Sequence, residues 1–94
     1  MYVTLVHPRP QLGQEEEYAR RWKAILAPRA RALPGFRAGY FFGDPAANTV
    51  HAIYLWDEKP VEELQEAMND FRQQCRDLTT GPGRREDFEV LAEA

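Results

Sequence analysis

The order of apolar segments along this chain predicts an α+β fold: one antiparallel sheet with elements in the order βαββαβ and both helices on one sheet face. Leu33-Pro34-Gly35-Phe36 is the first observation behind it. Pro34 cannot continue a helix, Gly35 supplies a tight turn, and Phe36 opens a run suited to a sheet. Trp56 is the second, closing another apolar run just before a second helix. A third concerns the sheet's far side. The two middle strands are apolar on both faces, whereas an antiparallel sheet with one wet face alternates apolar and polar residues. Helices cover one side, so something else covers the other. The economical cover is a second copy of the chain, sheet against sheet.

The elements follow in order. Tyr2 to His7 is rich in β-branched and aromatic residues and ends at Pro8, which predicts a strand. Its faces are Tyr2/Thr4/Val6 and Val3/Leu5/His7, and neither is marked as the solvent side. After a loop from Pro8 to Gly13, Glu15, Glu16 and Glu17 sit where a helix N-terminus favours negative charge. Tyr18, Trp22, Ile25, Leu26 and Leu33 then recur near helical spacing. Pro28 falls inside that pattern and should kink the helix or restart it near Ala27. Phe36 to Phe42 and Thr49 to Trp56 are strands joined through Gly43-Asp44-Pro45. Asp57 is placed to cap the next helix, with Pro60 in its first turn. Val61, Leu64, Met68, Phe71, Cys75 and Leu78 form that helix's apolar stripe, and Asn69-Asp70 is a candidate break. Thr80-Gly81-Pro82-Gly83 ends it, and Phe88 to Leu91 is the expected last strand.

Ninety-four residues fit one domain over 1–94, with apolar residues at 44% and charged residues at 29%. A net charge of −3 argues against nucleic acid or a membrane surface as the main partner, because both attract a basic patch. The single cysteine, Cys75, rules out a disulfide within the chain. No apolar run approaches the ~20 residues of a membrane span, so the expected location is the cytoplasm. Two histidines and one cysteine, far apart, make no metal motif, and no phosphate loop or nucleophile elbow is present.

The tetrad Leu33-Pro34-Gly35-Phe36, the strand end Trp56-Asp57-Glu58, and Thr80-Gly81-Pro82 before the last strand together resemble the antibiotic biosynthesis monooxygenase family. The resemblance spans nearly the whole chain. It implies a ferredoxin-like protomer, a homodimeric α+β barrel, and a pocket between sheet and helices. The family includes cofactor-free oxygenases of aromatic polyketides, quinol monooxygenases, haem-degrading enzymes and an isomerase of a phosphorylated sugar. Trp56 falls where some polyketide oxygenases place a pocket tryptophan. Those enzymes carry an asparagine earlier on the same strand, where this chain has Ala52. The positions that carry haem degradation hold His7, Gln65 and Cys75, none of which matches. The helix histidine of the sugar-isomerase branch is not found.

Read against the residues, Trp56, Tyr54, Tyr40 and Trp22 are candidates to wall a flat slot, each also suited to ordinary core. His7, on one face with Val3 and Leu5, is the candidate proton acceptor at the rim of an apolar surface, or else a satisfied rim histidine. His51 should face away from the slot if Ala52 and Trp56 face the helices. Cys75 reads as an inert core thiol. Arg84-Arg85 is either a reach toward an anionic ligand or a solvated charge pair. The resulting expectation is a homodimeric, cofactor-independent oxygenase-like enzyme for a compact aromatic or quinol-type molecule, with His7 and Trp56 as its catalytic residues and Tyr54, Trp22, Tyr40, Val3 and Leu5 binding substrate. The alternatives are a non-catalytic ligand-binding or stress-associated module on the same fold, and a sugar-isomerase-like member of the family.

Overall fold

The computed structural model describes residues 1–94. Strand β1 (Tyr2–His7) is followed by helix α1 (Glu15–Arg21), a π-helical turn (Trp22–Leu26) and helix α2 (Ala27–Arg31). Strands β2 (Phe36–Asp44) and β3 (Thr49–Trp56) form a hairpin. Helix α3 (Glu63–Gln74) and strand β4 (Arg84–Glu89) complete the chain. The sheet order is β2-β3-β1-β4, and every neighbouring pair is antiparallel. This is the ferredoxin-like βαββαβ arrangement that the sequence predicts.

Gly35 shows why the tetrad turns as it does. Its φ is +80°, and a Cβ there would lie 2.6 Å from Glu58 Cγ. Its carbonyl accepts from the Asp57 N–H at 2.7 Å, so the turn is tied to the end of β3. Pro28 does not break the first helix. The helix takes up one extra residue instead: the Ala27 N–H bonds back five residues to the Trp22 carbonyl, and α2 restarts with Pro28 in its first turn. That restart falls where the sequence places it.

Three boundaries differ from expectation. Helix α3 begins at Glu63, and Asp57 does not cap it; Asp57 faces the Arg37 guanidinium at 3.3 Å instead. Asn69-Asp70 does not interrupt α3. Both residues are exposed, Asn69 accepting from Gln65 and Arg72 and Asp70 from Arg29, so neither competes for the helix backbone. The last strand starts four residues earlier than Phe88, at Arg84. It is an edge strand, where charged residues suit a half-open ladder. The pairs Arg84–Glu86 and Arg85–Asp87 offset their own charge along it.

Register decides which side chains meet. Thr4 pairs with Tyr54 and Val6 with Ala52, while Val3, Leu5 and His7 belong to the alternate set with Leu55 and Ile53. On β3, Val50, Ala52, Tyr54 and Trp56 are buried, and the last three pack against Tyr18, Trp22, Leu26, Leu64 and Phe71 of the helices. Val3, Leu5 and His7 therefore lie on the sheet face away from the helices, and so does Tyr40, opposite Ile53. This corrects the sequence reading, which put all four beside Trp56. A strand that is apolar on both sides gives no signal of which side faces the helices.

Candidate functional site

A cleft of about 80 Å³ opens between the sheet and the helices. Ala52, Tyr54, Phe41 and Val6 form its sheet wall. Tyr18, Trp22 and Leu26 come from the first helical rod, and Gln65, Met68, Phe71 and Arg72 from α3. Segments 8–9 and 79–85 close around its mouth, bringing Arg9, Arg84 and Arg85. The π turn carries both Trp22 and Leu26 to the cleft.

The wall is aromatic. Phe41 lies 5.6 Å between ring centroids from both Tyr18 and Trp22, and Trp22 lies 6.1 Å from Tyr54. The Trp22 indole N–H donates to the Tyr54 hydroxyl at 2.7 Å. That bond fills one acceptor position of the phenol oxygen and leaves its proton free to donate, and no protein acceptor takes it. Burial pushes the Tyr54 phenol up to about 12, opposed by the Trp22 hydrogen bond and the Arg85 charge. Burial likewise raises Tyr18 well above the ordinary phenol range. Both phenols are neutral donors at neutral pH. None of the lining residues is a carboxylate or an imidazole, and no three His, Cys, Asp or Glu side chains gather as a metal site.

Of the sequence candidates, the structure brings Trp22 and Tyr54 together at the cleft. Trp56 is fully buried behind Tyr54, stacked on it at 6.2 Å, and lines no part of the cleft. Its indole N–H donates to Thr4 Oγ1 at 3.1 Å. The Thr4 hydroxyl in turn donates to Asp87 Oδ1 at 2.8 Å, and Arg85 pairs with that carboxylate. Trp56 is thus held as a core residue by a buried polar chain.

His7 is not at the mouth of the cleft. On the opposite face its Nε2 meets Glu86 Oε1 at 2.7 Å and its Nδ1 meets His51 Nδ1 at 3.0 Å. His51 faces away from the helices, as the sequence reading supposed. Gln65 lines the cleft and accepts from Arg85 at 2.9 Å, while Cys75 is buried and its thiol is raised by burial. Arg84 and Arg85, which the sequence offered as a reach toward an anionic ligand or a solvated pair, lie at the mouth of the cleft, whereas Tyr18, Phe41, Phe71, Arg9 and Arg72 were not singled out as site residues. Tyr18 lies one helical turn from Trp22, a spacing that could have found it. Nothing local announces the others, which are joined by the fold alone.

No family model and no curated protein matches this chain. Solved structures share its fold. A monooxygenase from the gene ActVA-Orf6 of Streptomyces coelicolor, in complex with the ligand nanaomycin D, superposes with a TM-score of 0.73 at 12% identity, over 99% of this chain and 89% of that one. SnoaB, a cofactor-independent oxygenase from Streptomyces nogalater crystallised with an asparagine replaced by alanine, gives 0.68 at 17%, over 98% and 95%. A dimeric ferredoxin-like protein from an uncultured marine organism gives 0.72 at 10%, over 99% and 90%. Other chains of this shape are of unknown function. At these identities the likeness is one of fold: this chain has the α+β fold found in antibiotic biosynthesis monooxygenases. No helix is long and apolar enough to cross a membrane.

Proposed function

We propose that the cleft binds a compact, electron-rich aromatic molecule of the phenol or quinol type, and that the protein is a cofactor-independent oxygenase-like enzyme acting on it. The observation that carries this reading is the Tyr54 hydroxyl. It is buried in an aromatic slot, its acceptor side is filled by Trp22, and its own proton has no acceptor in the protein. A ligand oxygen seated beside it would take that hydrogen bond, and charge growing on that oxygen would strengthen it in a dry site. In the reaction, a phenol carbon bearing hydrogen becomes a quinone carbonyl. One atom of dioxygen enters that carbonyl and the other leaves as water, with every electron drawn from the substrate. The chain's residues supply a flat apolar slot, a fixed donor and the exclusion of water. Trp56 and His7 take no direct part, since one is buried core and the other faces the opposite side of the sheet. The protein works as a homodimer in this reading. Tyr40, Phe42 and Phe88 are 58%, 45% and 50% exposed on the outer face, a patch that a second sheet would cover.

The test is turnover of a panel of one- and two-ring quinols, followed by oxygen uptake. Tyr54→Phe should lower kcat about a hundredfold or more, the scale for loss of one donor to a developing anion, while the variant stays folded. Turnover unchanged by Tyr54→Phe would end the mechanism. The lack of an imidazole or carboxylate in the cleft favours a second reading, a binding module without chemistry. Ligand-induced quenching of Trp22 with no oxygen uptake by the wild type would establish that one.

A further inference from the structure

Resting on the reading of the cleft as a ligand site, we propose that its ligand is an anion, with the aromatic part in the slot and a carboxylate or phosphate held by arginines at the mouth. The charges point there. Six of the ten arginines pair with carboxylates, and Arg9, Arg31, Arg72 and Arg76 do not. Three of those four gather in one place. Arg9 and Arg72 line the cleft, and an adjoining surface hollow carries Arg72 and Arg76 with Thr79, Thr80 and Gly81. The cleft and the hollow share Arg72, Thr79 and Gly81, and neither has an acidic lining residue. In a chain of net charge −3, three of the four unpaired arginines lie where the aromatic slot opens.

Backbone pairing builds this mouth. The Gln11 N–H donates to the Leu78 carbonyl at 2.7 Å and the Thr80 N–H to the Arg9 carbonyl at 2.9 Å, and Pro10 bridges Thr79. The loop after β1 is thereby fastened to the segment after α3, which fixes Arg9 beside Gly81. Arg72 already donates to the neutral Asn69 side chain at 2.6 Å, and Arg76 reaches only Gln73, at 3.4 Å. Guanidinium groups bonded to amides rather than carboxylates keep their charge uncompensated and available to an oxyanion.

The experiment compares a hydroxynaphthoate, the matching naphthyl phosphate and the neutral hydroxynaphthamide, titrated against the wild type by calorimetry at low and high salt. Inorganic phosphate alone serves as the charge-only control. At least one of the two aromatic anions should bind about tenfold or more tighter than the amide, as expected for a charge-assisted pair, and salt should narrow the gap. Which anion leads distinguishes carboxylate from phosphate. Arg9→Gln and Arg72→Gln should each shrink the anion's advantage, and Arg29→Gln, which pairs with Asp70 and does not line the cleft, should not. Equal affinity for anions and amide overturns the proposal while leaving the aromatic cleft standing. Phosphate alone matching the aromatic anions overturns the joint site. Binding of none of them overturns both the anion and the cleft.

Discussion

His7 and His51 face each other across β1 and β3 with their Nδ1 atoms 3.0 Å apart, on the sheet face turned away from the helices. Glu86 accepts from Nε2 of His7 at 2.7 Å, so both ring nitrogens of His7 are engaged, one by Glu86 and the other by His51. The histidine that the sequence offered as a base is thereby committed to a side-chain chain of its own. His7→Ala should leave ligand binding in the cleft and any oxygen uptake within about twofold of wild type. It should cost roughly 1–2 kcal/mol of stability by loss of two hydrogen bonds. Urea unfolding midpoints beside cleft titrations measure both. A loss of turnover without a loss of stability would return His7 to the chemistry.

Thr4 is fully buried and links Trp56 to Asp87. Thr4→Val keeps the shape of the side chain but leaves the indole N–H without an acceptor in the core. The expected cost is about 1–3 kcal/mol, the price of an orphaned buried donor, read as a lowered denaturation midpoint. Affinity in the cleft should be little changed, because Trp56 does not line it. An unaltered midpoint would mean that the polar chain adds nothing to the fold.

Much of this architecture was legible because punctuation and burial agree locally. Leu33 to Phe36 stops a helix by proline and turns by glycine, and the Gly35 backbone requires what the sequence supplied. Pro28 likewise marked the restart at Ala27. What could not be read was orientation. Val3, Leu5 and His7 form as plausible a core face as Tyr2, Thr4 and Val6, and only pairing with β3 decides between them. The first four residues of strand β4 were hidden because Arg84 to Asp87 has the composition of a surface loop. Their strand character comes from β1, which supplies the partner backbone, and with it come Glu86 beside His7 and Arg85 at the cleft. The site was thus legible in Trp22, Tyr54 and the Arg84-Arg85 pair, and illegible in Phe41, Phe71, Arg9 and Arg72, which only the fold brings together.

Arg21 joins α1 to the turn after α3, donating to Glu17 at 3.0 Å and to Asp77 at 2.9 Å. Hydrogen bonds from Arg20 and Arg21 hold the Glu17 carboxyl below its ordinary range, and the bond from Arg21 does the same for Asp77. Carboxyls depressed in the folded state stabilise it above their unfolded pKa, about 4, and that contribution is lost as the pH falls through the folded values. Wild-type Tm should therefore drop from pH 6 to pH 3 more steeply than that of Arg21→Gln. The variant should be the less stable protein near neutrality, and the two curves should converge in strong acid. Parallel curves over this range would show that the solvent-exposed network contributes nothing.

Ile53 lies at the centre of the outer sheet face, paired with Leu5 on one side and Tyr40 on the other. Around it stand Val3, Leu55, Phe42 and Phe88, so the apolar surface runs across all four strands. Light scattering at micromolar concentration should give twice the chain mass if a second sheet covers this face. A carboxylate at position 53 would be buried there without a partner, a cost of several kcal/mol to the association. Ile53→Asp should accordingly shift the mass toward the monomer. The side chain points away from the helices, so the monomer should keep the aromatic cleft and quench Trp22 fluorescence with the ligands that the wild type binds. A wild type that is monomeric, or an Ile53→Asp variant that stays dimeric, would place the contact elsewhere and leave the two-sided apolarity of β2 and β3 without its explanation.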